Sequence, residues 1–211
     1  KIEWRDYQSD IIHKATTIIN KSKFVYLAME VRTGKTLTSL GIAEKLGVEN
    51  VLFLTKKKAI QSISDDYDLL CPVRFSLFTI NYESIHKAPN LKWDLIICDE
   101  AHGMGAFPKP SKRAKDVRDL VRKCKPKVIL LDEPMAALDP IVVQDIQKYI
   151  LKIQSFGCSI LITDHQVKNL FDIVDRAYVL GEQSIIAKGT PKEILKSSKA
   201  IELYFGNQYN N

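Results

Sequence analysis

The sequence predicts an α/β fold with a mostly parallel sheet, helices on both of its faces and a β-hairpin near the C-terminus. Three observations predict it. Apolar runs near-continuous in Val, Ile and Leu alternate with amphipathic stretches, as a parallel sheet covered on both faces requires. One such run, FVYLAM, leads into EVRTGKT and then an amphipathic segment. The late stretch AYVLGEQSIIAKGTP carries two extended runs around a turn near Gly181 to Ser184.

Taken in order, the expected strands are FVYLAM (24–29), NVLFLT (50–55), SLFTI (76–80), DLIIC (94–98), KVILL (127–131), SILIT (159–163) and AYVL (177–180). Helices are expected from Thr36 to Leu46, Ser111 to Cys124 and Pro140 to Gln154. In the second of these, Ala114, Val117, Leu120, Val121 and Cys124 recur at three- and four-residue steps and leave the basic residues outward. In the third, Asp139 suits a cap, Pro140 the first turn, and Gly157 the exit.

With 211 residues, 45% of them hydrophobic, the chain can build a full core without disulfides or a structural metal. Its composition excludes collagen-like, disulfide-scaffold and low-complexity classes. No apolar stretch approaches the ~20 residues needed to span a bilayer, and KIEWRDYQ shows no signal-peptide core. The expectation is therefore a cytoplasmic protein with no membrane insertion. Cys71, Cys98, Cys124 and Cys158 lack metal-like spacing, and Cys98 and Cys158 sit in or beside apolar runs as candidate buried thiols. The net charge of +6 is uneven: residues 1–127 carry 23 basic and 15 acidic groups, the remainder 8 and 10. A change of sign between segments points to different partners or origins.

Thr33-Gly34-Lys35-Thr36 is the back half of a phosphate-binding loop in its required setting, between a strand and a helix. Backbone N–H groups at a helix start cradle phosphate oxygens, a lysine adds a point charge, and a Thr hydroxyl can ligate Mg²⁺. At the front of the loop, Met29 stands where the first Gly is usual. Two apolar strands end in Asp-Glu: ICDEAH (97–102) and LLDEP (130–134). By strand-end position, Asp99 is the metal partner and Glu100 the group that orients or deprotonates an attacking water.

From Trp4 to about Leu131 the chain resembles the first ATPase domain of a superfamily-two helicase of the DEAD/DEAH type. WRDYQ resembles the adenine-reading motif, which implies base contacts from Gln8 with Arg5 and Tyr7 nearby; TGKT and DEAH (99–102) resemble motifs I and II. LTKKKAI (54–60) and INYESI (80–85) stand where that family places nucleic-acid contacts. From Val128 to about Phe205 the chain instead resembles the C-terminal half of an ABC-type ATPase of the lipopolysaccharide-export kind. VILLDEPMAALDP resembles its Walker B and D-loop, which implies a metal-side Asp132, a general base at Glu133 and a D-loop acid at Asp139. SILITDH resembles its switch strand, with His165 sensing the γ-phosphate.

Together the resemblances imply one hybrid P-loop NTPase domain over residues 1–211, RecA-like, engineered or recombined, with a helicase-like segment (1–127) and an ABC-like segment (128–211). They imply ATP and Mg²⁺ as cofactors and at most slow hydrolysis. A folded but inert hybrid is the rival reading. The stretch holds no LSGGQ signature and no helicase motifs beyond the second, so neither a complete ABC dimer nor processive unwinding is expected. Lys56, Lys57 and Lys58, and the basic run Lys109 to Lys127, suggest weak, non-specific nucleic-acid binding with Tyr82 as a stacking platform. Two placements of KVILL compete: beside the phosphate-loop strand with SILIT on that strand's other side, or in the ABC Walker B position with LIIC displaced outward. The first is favoured, because the residues before the junction then keep their neighbours.

Overall fold

In the computed structural model, which describes residues 3–19, 24–28, 34–104, 111–164, 169–181 and 184–204, eight strands form one sheet in the order β3-β2-β4-β5-β6-β1-β7-β8. The strands are β1 (Phe24–Ala28), β2 (Asn50–Thr55), β3 (Ser76–Asn81), β4 (Leu95–Cys98), β5 (Val128–Asp132), β6 (Ser159–Asp164), β7 (Arg176–Gly181) and β8 (Ser184–Gly189). All neighbouring pairs are parallel except β7 with β8, the expected hairpin. The helices are α1 (Asp6–Ile19), α2 (Lys35–Leu46), α3 (Ile60–Leu70), α4 (Lys112–Cys124), α5 (Pro140–Gln154), α6 (Pro191–Ile194) and α7 (Ser198–Tyr204), with short 3₁₀ turns at Lys57–Ala59, Tyr82–Lys87 and Ala101–Met104.

The period-2 geometry of the strands divides the core into two layers. Val51, Phe53, Leu95, Ile97, Val128, Leu130 and Leu161 pack with α1 and α2 on one face. Leu52, Leu54, Ile96, Cys98, Ile129, Leu131, Ile160 and Ile162 pack with α4 and α5 on the other. Asp139 caps α5 by accepting from the N–H groups of Ile141 and Val142, and Pro140 occupies its first turn. Among the described residues no helix is long and apolar enough to cross a membrane. Cys98 and Cys158 are buried, and burial pushes their thiols up to about 12 and about 11.

The strand order corrects the favoured placement. β5 does not lie beside β1; β6 separates them, with Val128–Asp132 in register against Ser159–Thr163 and Phe24–Ala28 against Ile160–Asp164. The displaced strand is β4, one position further out between β2 and β5. Keeping β5, α5 and β6 together preserves five backbone-paired positions and the apolar faces of Ile129, Leu131, Ile160 and Ile162, while β4 keeps β2 on its outer side. The favoured placement would have separated β5 from β6.

Asp94 ties the start of β5 to the start of β2. Its carboxylate accepts from the N–H groups of Glu49 (3.1 Å) and Asn50 (3.2 Å) and pairs with Lys127 at 3.2 Å, while its carbonyl accepts from Lys127 and Val128. Burial pushes this carboxyl up, but the two N–H groups and the Lys127 ammonium outweigh it and hold it below the ordinary range. Because the folded value is depressed, the stabilisation is present above the unfolded carboxyl's pKa and is lost as pH falls through the folded one. Asp94→Ala is expected to cost about 3 kcal/mol, read as a fall in melting temperature of roughly 6–12 °C at neutral pH. The gap to the wild type should narrow below about pH 4, around the ordinary aspartate pKa.

Candidate functional site

The C-terminal end of β5, with the end of β6 beside it, meets the start of α2. Gly34 immediately precedes this helix with φ 71°, a left-handed conformation that glycine adopts without strain. A Cβ there would lie 2.7 Å from Nε2 of Gln8. Gln8, on α1 and 6% exposed, donates to Oγ1 of Thr38 at 3.4 Å and accepts from the N–H of Arg5 at 3.2 Å. Arg5 itself donates to the hydroxyl of Tyr7 at 3.2 Å. The helix expected to read a base therefore rests directly on the one that starts at the phosphate loop. Thr36 lies on the first turn of α2. Met29, Thr33 and His165 lie outside the described residues.

Lys35 projects toward the two acids at the end of β5, Asp132 within the strand and Glu133 just after it. Its Nζ pairs with Oε1 of Glu133 and lies 3.7 Å from Oδ1 of Asp132. All three side chains are largely buried. Burial pushes Asp132 up to about 6, and the Lys35 ammonium and the Thr163 hydroxyl pull against that rise. Glu133 adopts φ 48°, costly for a residue with a Cβ and often found where a side chain is aimed for chemistry.

The other acid pair is tied up elsewhere. Asp99 accepts from the hydroxyl of Thr55, and Tyr82 donates to the Asp99 carbonyl at 2.6 Å. Glu100, also left-handed at φ 46°, pairs with Lys56. Burial raises the Asp99 carboxyl, the Thr55 hydroxyl works against this, and the neighbouring Glu100 charge adds to it. Among the described residues, no ion pair joins Asp99 or Glu100 to Lys35. Because β5 lies between β4 and the phosphate-loop side of the sheet, the DEAH acids stand one strand further from Lys35 than the LLDEP acids do.

Tyr82 is no stacking platform: it is 1% exposed, with the Arg113 guanidinium 5.2 Å above its ring. The basic run is also partly neutralised from within, through Arg113 with Glu83, Arg118 and Arg122 with Asp119, and Lys127 with Asp94. In the DEAH string, His102 has a buried Nδ1 with no hydrogen-bond partner among the described residues.

The residues fit a magnesium–nucleotide pair. Thr36, Asp132 and Glu133 offer hard oxygen donors, Lys35 offers the phosphate-directed charge, and Gly34 keeps the helix start free of a side chain. Among the described residues no group of three His, Cys, Asp or Glu is arranged as a metal site.

Residues 1–66 match the family model described as Type III restriction enzyme, res subunit. The later part of the chain resembles ABC ATPases. The lipopolysaccharide export system ATP-binding protein LptB of Haemophilus influenzae is 45% identical over 84 residues, covering 40% of this chain and 35% of that protein. LptB of Escherichia coli K12 is 43% identical over the same length and share. The chain thus spans about a third of the length of these relatives. Among solved structures, cbiO1 from Clostridium perfringens, part of the ABC transporter complex cbiONQ, aligns with a TM-score of 0.43 at 16% identity, over 90% of this chain and 87% of that one. The helicase-like beginning and the ABC-like end are therefore seen independently of the motif reading.

Proposed function

We propose that this chain is an ATP-binding P-loop domain with slow, Mg²⁺-dependent hydrolysis, and that its working acids are Asp132 and Glu133 rather than Asp99 and Glu100. The observation that carries this reading is the placement of Lys35 against the two acids at the end of β5, the only pair among the described residues in contact with it.

In this reading Gly34 and the first N–H groups of α2 receive the phosphates, Lys35 leaves Glu133 for the phosphate oxygens, and the Thr36 hydroxyl and Asp132 hold the metal side. Bound magnesium would neutralise phosphate charge as the terminal bond breaks. Glu133, released from Lys35, accepts the proton of the attacking water. Gln8 and Arg5 stand on the side assigned to the base. Nothing in the chemistry of these residues calls for Asp99 or Glu100, whose contacts are structural.

Calorimetric titration with a slowly hydrolysed ATP analogue and Mg²⁺ tests the reading, with one molecule bound per chain expected. Glu100→Gln should leave affinity and turnover within about threefold of wild type, since an exposed ion pair such as Lys56–Glu100 contributes little. A Glu100→Gln variant that binds nucleotide but does not hydrolyse it would transfer the catalytic role to the DEAH pair.

A further inference from the structure

The assignment of Asp132 and Glu133 leaves open what holds two acids in place beside a lysine, one of them in a left-handed backbone conformation. Both answers lie at the end of β6. The Thr163 hydroxyl donates to Oδ1 of Asp132, and the Thr163 carbonyl accepts from the Glu133 N–H at 2.7 Å. One residue on, Oδ2 of Asp164 accepts from the Met135 N–H at 2.9 Å. Thr163 is 2% exposed and Asp164 0%.

We infer that Thr163 and Asp164 are the positioning residues of this site, a two-residue template that fixes the Asp132 carboxylate and the turn carrying Glu133. The inference rests on the assignment of Asp132 and Glu133 made above. Three contacts from two consecutive residues fix three successive features of the turn: the Asp132 side chain, the Glu133 amide and the Met135 amide. Oδ1 of Asp132 is both the oxygen that the hydroxyl engages and the one 3.7 Å from Lys35, so the anchor leaves Oδ2 for a metal. A carboxylate without that anchor can rotate onto the Lys35 ammonium and become a competitor for it.

The displaced pair shows the same device with a different outcome. Thr55 likewise donates to the Asp99 carboxylate, and the Asp99 N–H donates to the Leu54 carbonyl. The residue after Thr55 is Lys56, which takes Glu100 into an ion pair. The residue after Thr163 is Asp164, which holds a backbone N–H instead and leaves Glu133 to Lys35. Strand order sets which pair faces the phosphate loop, and the residue following the threonine sets whether the glutamate of the pair is drawn into a local ion pair.

The experiment compares Thr163→Val, which keeps the shape and removes the hydroxyl, with Thr163→Ser, which restores it. ATPγS binding is measured by calorimetry across a Mg²⁺ series and in excess EDTA. For Thr163→Val the Mg²⁺ concentration giving half the metal-dependent gain in affinity should rise at least tenfold, while affinity in EDTA stays within threefold. Thr163→Ser should lie within threefold of wild type in both. A Val variant with wild-type Mg²⁺ dependence, or a Ser variant as impaired as Val, overturns the positioning role while leaving the nucleotide site intact. If the wild type binds no ATPγS in either condition, the site assignment fails and the template falls with it. Should thermal melting show Thr163→Val unfolded, the Thr163→Ala and Thr163→Ser pair, equal in the methyl they lose, isolates the hydroxyl: a tenfold gap in Mg²⁺ dependence sustains the inference and equality refutes it.

Discussion

Replacing Lys35 by alanine is expected to weaken Mg²⁺–nucleotide binding by at least a hundredfold, about 3 kcal/mol. Two effects add. The charge-assisted contacts of the ammonium with phosphate oxygens are lost, at about 1.5–3 kcal/mol for hydrogen bonds to a charged group. Asp132 and Glu133, now without their shared cation, also present uncompensated negative charge to an incoming triphosphate. In the nucleotide-free protein the same substitution removes a largely buried ion pair, so the melting temperature should fall as well. Calorimetry reads the first effect and circular dichroism the second. A Lys35→Ala variant that folds and binds nucleotide with unchanged affinity would refute the site.

Glu133→Gln is expected to reduce turnover by roughly 10²–10⁴-fold, the range a positioned general base contributes, while binding is retained or strengthened. The sign of the binding change follows from the Lys35–Glu133 ion pair. Lys35 is held by Glu133, so a nucleotide must break that pair before it can use the ammonium. An amide at 133 holds Lys35 less firmly, leaving more of the lysine's interaction for phosphate. Single-turnover hydrolysis beside equilibrium binding separates the two effects. Loss of both together would give Glu133 a structural role, and loss of neither would return the base to Glu100.

The strands were legible because each is a short, nearly unbroken apolar run: NVLFLT coincides with β2, and the other expected runs lie within a residue or two of the observed bounds. α5 was legible because its start is written in Asp139-Pro140, residues with a local reason to be there. α1 and α3 went unread. Of α3 only Ile63 is buried, too little for a stripe of apolar residues to show, and the start of α1 was read as the WRDYQ motif rather than as a helix.

The order of the strands was not legible, because either placement of KVILL satisfies the same periodicity and pairing partners far apart in sequence leave no local mark. The acid pair that meets Lys35 follows from that order. Thr163 and Asp164 passed unnoticed for a related reason: a threonine closing an apolar strand is ordinary in sequence and gains meaning only from the neighbouring strand's end. The signal available was the repetition itself, since LFLT and LIT each end a strand that pairs with one of the two Asp-Glu strands.

Among the described residues both borders of the sheet have one paired flank: β8 pairs only with β7 and carries α6 and α7 against it, and β3 pairs only with β2 and carries α3 against it. A strand with one open flank is a template on which another extended segment can grow. Here Pro72 and Arg74 stand just before it and Asn81 closes it, residues that discourage such growth at either tip but leave Leu77 to Ile80 between them. Self-association through this border, on the side of the molecule remote from the hairpin, would be reduced by a lysine at an outward position of β3, a change that leaves the phosphate loop undisturbed.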